Sequence, residues 1–298
     1  MKRVIFSYPS HDMVLAVKGE AHNGMKQGSE VWKDLRSCFI TGSQYHAWTR
    51  PSHLAIHKKV VAEKSAHWKG VAGKPTPKAL QRMFDWGHFH EGVARQNYTR
   101  RLVTQFPTQN VSVRDHVAMF IDDEGMIAAS PDGIVTITNE PSGVIEIKCP
   151  TGNFFWKRKD ITDPKYDVEN LDKPGLDSLY REMANSEVGA KYYDMDNQLR
   201  IGGKLEDHYL QCLGNLHLSD AEWCDYIVFA PFTEWYRAKD GTRSNMRVKR
   251  LTKKDTLADW EVTLSALENA YKDNVDVFTE NVESYLAKYH NTDFGPGV

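Results

Sequence analysis

Residues 113–150 read VRDHVAMFIDDEGMIAASPDGIVTITNEPSGVIEIKCP. Short apolar runs are punctuated by Asp123-Glu124-Gly125 and by Pro141-Ser142-Gly143. The pattern predicts three strands joined by two turns. In the last of them, Gly143-Val144-Ile145-Glu146-Ile147-Lys148, side chains alternate with period two. Glu146 and Lys148 therefore share one face, while Ile145 and Ile147 point to the other, into a core. Asp132 stands between Pro131 and Gly133 on the preceding hairpin, fourteen positions before Glu146. That separation suits strand–turn–strand. If the two strands pair antiparallel, Asp132 reaches Glu146.

The texture on either side is different. Residues 26–37 predict a short helix, and FITGSQYHAW at 39–48 a turn into another. Residues 75–102 start a longer helix, with Pro77 near its first turn. Trp86, Phe89 and Val93 recur there at spacings of three and four and mark an apolar face. Glu91 falls on another face with Gly87, Ala94 and Tyr98, and Arg95 is its i+4 ion-pair candidate. Residues 157–204 are polar, with Pro164, Pro174 and Gly202-Gly203, and read as an insertion or excursion. A helix is expected near 205–218, strands in CDYIVFAP, TEWYRAK and MRVKRLT, and one long amphipathic helix over 255–289 carrying Leu257, Trp260, Leu264, Leu267 and Tyr271. The order helix, sheet, helix, sheet, helix argues for one α/β domain over residues 1–298 with a mixed central β-sheet flanked by helices. The insertion at about 157–204 and a helical extension at about 255–290 are its additions.

Composition narrows the class. The chain has 298 residues, of which 41% are hydrophobic and 26% charged, with a net charge of −2. It is long enough to bury a core without disulfides. No apolar run suits a membrane helix, and the N-terminal apolar stretch is short for a secretory signal. A cytoplasmic protein is expected. Cys38, Cys149, Cys212 and Cys224 are scattered singly, which argues for buried thiols rather than a zinc or iron–sulfur site. Nucleic-acid binding would need local positive surface, for which Arg100-Arg101, Lys157-Arg158-Lys159 and Lys249-Arg250 with Lys253-Lys254 are candidates.

The chemistry follows from residue type. Asp132 and Glu146 supply hard oxygen ligands for a divalent cation, and the Ile147 carbonyl lies between the two strand residues to complete them. Such a cation activates water and neutralises charge developing on phosphorus. Lys148 beside it can orient or help deprotonate the water, or stabilise the transition state. This is the PD-(D/E)-x-K arrangement of metal-dependent nucleases.

Several ordered blocks between residues 31 and 231 resemble the lambda-type phage exonucleases, or YqaJ-like viral recombinases. They are WKDLRSCFITGS, WGHFHEGVAR, AASPDGIV, IEIKCP, and HYLQCLGNL followed by CDYIVFAP. The resemblance implies a restriction-endonuclease-like core and a Mg²⁺-dependent exonuclease, with Mn²⁺ as a substitute. It implies 5′-to-3′ digestion of one strand of linear double-stranded DNA, leaving 3′ overhangs for recombination by strand annealing. Asp132, Glu146, the Ile147 carbonyl and Glu91 would form the metal site, Lys148 would act on the water, and Gln211 would position it. Arg36, Ser43 and Ser130 would hold the 5′-phosphate, a task suited to a guanidinium fork and two hydroxyls. Double-stranded DNA ends, a single-strand annealing protein and a homotrimeric ring are the implied partners. The chain departs from the family at Leu213, where a second Gln is common, at the length of 157–204, and in lacking a clear Arg after Lys148-Cys149-Pro150. A site-specific or structure-specific endonuclease on the same core, or an inactive DNA-end-binding protein, are the alternatives.

Overall fold

The computed structural model describes residues 30–50, 54–69, 75–115, 119–184, 188–232, 236–237 and 243–289. Its centre is a five-stranded mixed sheet in the order β10-β7-β6-β5-β2. The strands are β2 (Val111–Arg114), β5 (Gly133–Ile137), β6 (Gly143–Lys148), β7 (Trp223–Phe229) and β10 (Met246–Thr252). β5 and β6 form the expected antiparallel hairpin, with Gly133 opposite Ile145. β6 then runs parallel to β7, with Glu146 opposite Tyr226. This pair can approach closely because residue 143 is glycine: a Cβ there would run into the Trp223 ring. A smaller sheet holds β1 (Ile40–Thr41), β4 (Ile127–Ala129) and β3 (Phe120–Ile121). The stretch read as three strands thus contains more. The Asp123–Gly125 turn joins β3 to β4, with Gly125 at positive φ, and β5 starts only after Asp132. A further pair, β8 (Tyr236–Arg237) and β9 (Arg243–Ser244), forms a small ribbon.

Helices cover both faces of the central sheet. Ahead of it come α1 (Glu30–Ser37), α2 (Tyr45–Trp48), α3 (Leu54–His67) and α4 (Lys78–Gln105). Between its strands and after it come α5 (Lys173–Met183), α6 (Ala190–Tyr193), α7 (Met195–Gln198), α8 (Glu206–Leu218), α9 (Lys253–Asp273) and α10 (Val275–Tyr289). Ile145, Ile147, Ile227 and Phe229 pack against Ala94, Tyr98 and Leu102 of α4. Val144, Tyr226 and Val228 pack on the opposite side with Leu210 and Leu213 of α8. β6 is therefore buried on both faces, and its polar residues are inside the protein. No helix among the described residues is long and apolar enough to cross a membrane.

Three sequence expectations change. The buried stripe of α4 is Trp86, His90, Ala94, Tyr98 and Leu102, every fourth residue, whereas Val93 is exposed. The stripe escapes an apolar count because His90 is part of it, bonded to the Trp86 carbonyl and the Tyr180 hydroxyl. Residues 157–204, read as an insertion or mobile excursion, hold the helices α5, α6 and α7. Phe154 and Phe155, just before them, and Tyr166, Val168, Leu179 and Met183 inside them close over Trp86 as an aromatic-rich cluster. Lastly, the C-terminal stretch is two helices rather than one. Thr252 caps α9 by accepting from the Asp255 N–H, the chain turns at Asn274, and α10 packs back on α1 and α3. Leu257, read as part of an apolar face, is exposed. The segment 26–29 of the first predicted helix lies outside the described residues.

Candidate active site

Asp132 sits where β4 passes into β5. Its backbone N–H donates to the Ile145 carbonyl at 2.9 Å, and its Oδ2 accepts from the Ile147 N–H at 2.6 Å. The hairpin therefore holds the Asp132 carboxylate against β6 through the backbone. Glu146 lies fully buried on the neighbouring strand. One of its oxygens accepts from Lys148, and the other from Asn215 Nδ2 at 2.7 Å. Lys148 also donates to Gln211 Oε1 at 3.2 Å. Gln211 and Asn215 are one turn apart on α8, which presses onto the face of β6 that carries Glu146 and Lys148.

Glu91 reaches this group from α4. Arg95, one turn on, donates to Glu91 at 2.5 Å, to the Asp132 carbonyl at 3.1 Å and to Asp115 at 3.0 Å. The i+4 pair anticipated from sequence is present, and its arginine also ties the helix to the hairpin. Asp115, at the end of β2, is thereby joined to the same network.

The electrostatics show how crowded the carboxylates are. Burial, reinforced by the Asp132 charge, pushes Glu146 up to about 8 despite Lys148 and Asn215. Burial and Asp132 likewise push Glu91 up to about 7. Asp132 itself is raised by burial, against the pull of Lys148 and the Ile147 N–H. Burial works against the Lys148 charge, but Glu146 and Asp132 outweigh it and hold the ammonium above its ordinary value. Carboxylates that make one another's charge costly are a donor set that a hard cation relieves. Among the described residues, no group of three or more His, Cys, Asp or Glu side chains is arranged to hold a metal ion. A cation here would therefore draw on Asp132, Glu146 and oxygens from outside the side chains. The set fits such an ion in chemical kind, and backbone carbonyls, water or phosphate would complete it.

A polar pocket adjoins these residues. Arg36, Thr41, Ser43, Ser130, Gln211 and Asn215 are among its lining. Arg36 donates to Ser43 Oγ at 2.8 Å and to Thr41 Oγ1 at 3.2 Å, and its guanidinium lies 4.4 Å from the centre of the Trp32 ring. Burial lowers Arg36 to about 10, while Glu146 works to hold its charge. Ser130 Oγ and Asn215 Oδ1 are both buried and lack a hydrogen-bond partner among the described residues. Unsatisfied polar atoms at a buried pocket are costly and mark a place for a polar ligand. The structure thus brings together Arg36, Ser43, Ser130 and Gln211, and separately Asp132, Glu146, Ile147, Lys148 and Glu91. Gln211 and Asn215 touch both groups.

Residues 31–169 match the family model described as a YqaJ-like viral recombinase domain. The match covers just under half of the chain. It spans every site residue named above except Gln211 and Asn215, which α8 supplies from beyond its end. No curated protein matches the sequence. Among solved structures, LHK-Exo in complex with dAMP is 17% identical with a TM-score of 0.44, covering 88% of this chain and 98% of that one. An alkaline exonuclease (LHK-Exo) from Laribacter hongkongensis is 18% identical with a TM-score of 0.41 and the same coverage. A phage-related exonuclease from Haemophilus somnus 129PT is 10% identical, with a TM-score of 0.39, covering 80% of this chain and 95% of that one.

Sequence reasoning missed Asn215, Thr41 and the second bond of Arg95. Asn215 stands four residues after Gln211 in a helix, which is a usable signal. Of the basic clusters proposed as DNA surface, Arg250 is committed to an ion pair although its side chain is 41% exposed. It forms a two-pronged pair with Asp225 at 2.8 Å and stacks on Trp223. Lys249 pairs with Asp196 at 3.0 Å.

Proposed function

We propose that the protein is a divalent-cation-dependent exonuclease that degrades one strand of linear duplex DNA from its 5′-phosphorylated end. The product would be a 3′ single strand for an annealing partner. The observation that supports this reading best is the sharing of α8 between two polar sites. Gln211 and Asn215 bond Lys148 and Glu146, and both line the pocket of Arg36, Ser43 and Ser130. A terminal phosphate anchored in that pocket would lie beside the carboxylates, so the bond broken would be the one nearest the end.

The residues divide the work as follows. Arg36 supplies the charge that binds a terminal phosphate, and Ser43 and Ser130 supply hydroxyls to its oxygens. Mg²⁺, with Mn²⁺ as a substitute, would be held by Asp132, Glu146 and the Ile147 carbonyl, and would supply a polarised water and charge neutralisation when bound; Glu91, paired with Arg95, would be an acidic neighbour of that site and not one of the ion's holders. Lys148, charged and steered by Gln211, orients the attacking water and stabilises charge on the phosphoryl oxygens. Asn215 fixes the rotamer of Glu146. A ring of three chains around the duplex would make the digestion processive.

The test is digestion of three matched DNAs with Mg²⁺: linear duplex with a 5′-phosphate, linear duplex with a 5′-hydroxyl, and a covalently closed circle. Rapid loss of the phosphorylated duplex with the circle intact is expected. Cutting of the circle would make the protein an endonuclease. Binding to ends without cleavage of any substrate would make it an end-binding protein.

A further inference from the structure

The Arg36 turn is held from behind by helices that contribute nothing to the cation site. Arg36 lies in the last turn of α1, where helix carbonyls have no partner within the helix. Lys64 of α3 donates to three of the carbonyls that follow: Arg36 at 3.1 Å, Ser37 at 3.5 Å and Phe39 at 2.6 Å. An ammonium has three protons to give, and here all three go to backbone oxygens of one turn. Asn281 of α10 adds a fourth bond, Nδ2 to the Ser37 carbonyl at 3.0 Å. Trp68 donates to Ser37 Oγ at 2.9 Å. One turn earlier in α1, Asp34 is buried and accepts from His67 at 2.8 Å, Lys288 at 2.8 Å and Tyr289 at 2.7 Å.

Lys64 is buried and makes no ion pair among the described residues. A buried ammonium facing only neutral carbonyls is expensive compared with an apolar side chain of the same size. Its placement makes sense if the geometry of the turn is what it secures. The same turn sets the direction in which the Arg36 guanidinium leaves the backbone toward Thr41 and Ser43. Burial, with the Arg36 charge close by, lowers Lys64 to about 7, so an anion held at Arg36 would ease the cost of charge at both side chains.

We propose that Lys64 and Asn281 are positioning residues for Arg36, and that through them the C-terminal helix α10 sets the enzyme's preference for a phosphorylated DNA end. The inference rests on the reading of Arg36 as the end-phosphate ligand. It extends control of the site to a helix outside the recombinase domain.

The experiment compares kcat and KM on 5′-phosphoryl and 5′-hydroxyl linear duplexes for the wild type, Arg36→Ala, Asn281→Leu and Lys64→Met. Arg36→Ala should abolish the preference. Asn281→Leu should cut it at least about fivefold, because small misplacements of a binding group carry large costs. The loss should fall on KM for the phosphorylated end, with hydroxyl-end rates unchanged, and Asn281→Gln should recover part of it. A general weakening of the fold would lower both rates together and leave the ratio alone. If Lys64→Met does not fold, Asn281→Leu decides. Should Arg36→Ala abolish the preference while folded Asn281→Leu retains it, the positioning role is refuted and the reading of Arg36 stands. Should Arg36→Ala itself leave the preference intact, the underlying reading fails first.

Discussion

Lys148 is held by Glu146 and Gln211 in a site where burial alone would strip its charge. Replacing it with alanine removes both an ammonium and the counter-charge of Glu146, while the strand beneath keeps its ladder. Lys148→Ala and Asp132→Asn are each expected to abolish cleavage, with circular dichroism and melting temperature close to wild type. Full activity in either variant would rule out the site as drawn. Asn215→Leu tests the residue that the sequence reading passed over. The shape is preserved, but Glu146 loses a 2.7 Å bond. We expect kcat to fall by about tenfold to a hundredfold with KM little changed, as when a transition-state group loses its orientation. A KM effect alone would assign Asn215 to substrate binding instead. The grouping of Asp132, Glu146 and Lys148 was legible because strand periodicity and a Pro-Asp-Gly turn leave little freedom in where they can point. Asn215 was not legible, since a buried amide on a helix has meaning only once the strand it touches is known.

At the scale of elements, the site depends on how tightly α8 lies against its neighbours. Gly214, next to Asn215 in the sequence, faces the Tyr45 ring with no room for a side chain. Tyr45 is itself fixed by its bond to the Ala128 carbonyl at 3.0 Å. Gly214→Ala should therefore destabilise the protein by roughly 1–3 kcal/mol through overpacking, even though alanine favours helices. Urea denaturation would measure this, and a gain in stability would show that α2 can move aside. The hairpin of β5 and β6 was readable in advance from its turn and alternation. The covering of Trp86 by Tyr166, Leu179 and Met183 was not. Those residues are sparse in a polar stretch, and only the tertiary fold gathers them. The break at Asn274 was hidden for a related reason: apolar spacing continues across it, although Phe278 packs with α9 while Val282, Tyr285 and Tyr289 face a second cluster.

For the molecule as a whole, buried histidines link stability to pH. His217 accepts or donates to Thr256 at 3.0 Å and stacks flat on Trp260, joining α8 to α9. Burial, aided by Lys253, lowers it to about 4. The unfolded chain takes up its proton near pH 6.5, so between about 6.5 and 4 the unfolded state binds more protons and stability falls as pH falls. One such group contributes up to about 3 kcal/mol over that window. His208, lowered to about 3 by burial and by Lys148, acts in the same direction. Melting temperature should drop between pH 7.5 and 5, and His217→Gln should flatten that slope. An unchanged slope would mean that His217 is protonated in the folded protein.

The match to the recombinase domain ends at residue 169, between β6 and its parallel partner β7. What is recognisable as a unit of descent is thus not a unit that could stand alone. Cut at that boundary, β6 would become a bare edge of buried, apolar strand, the kind of surface that recruits other chains into aggregates.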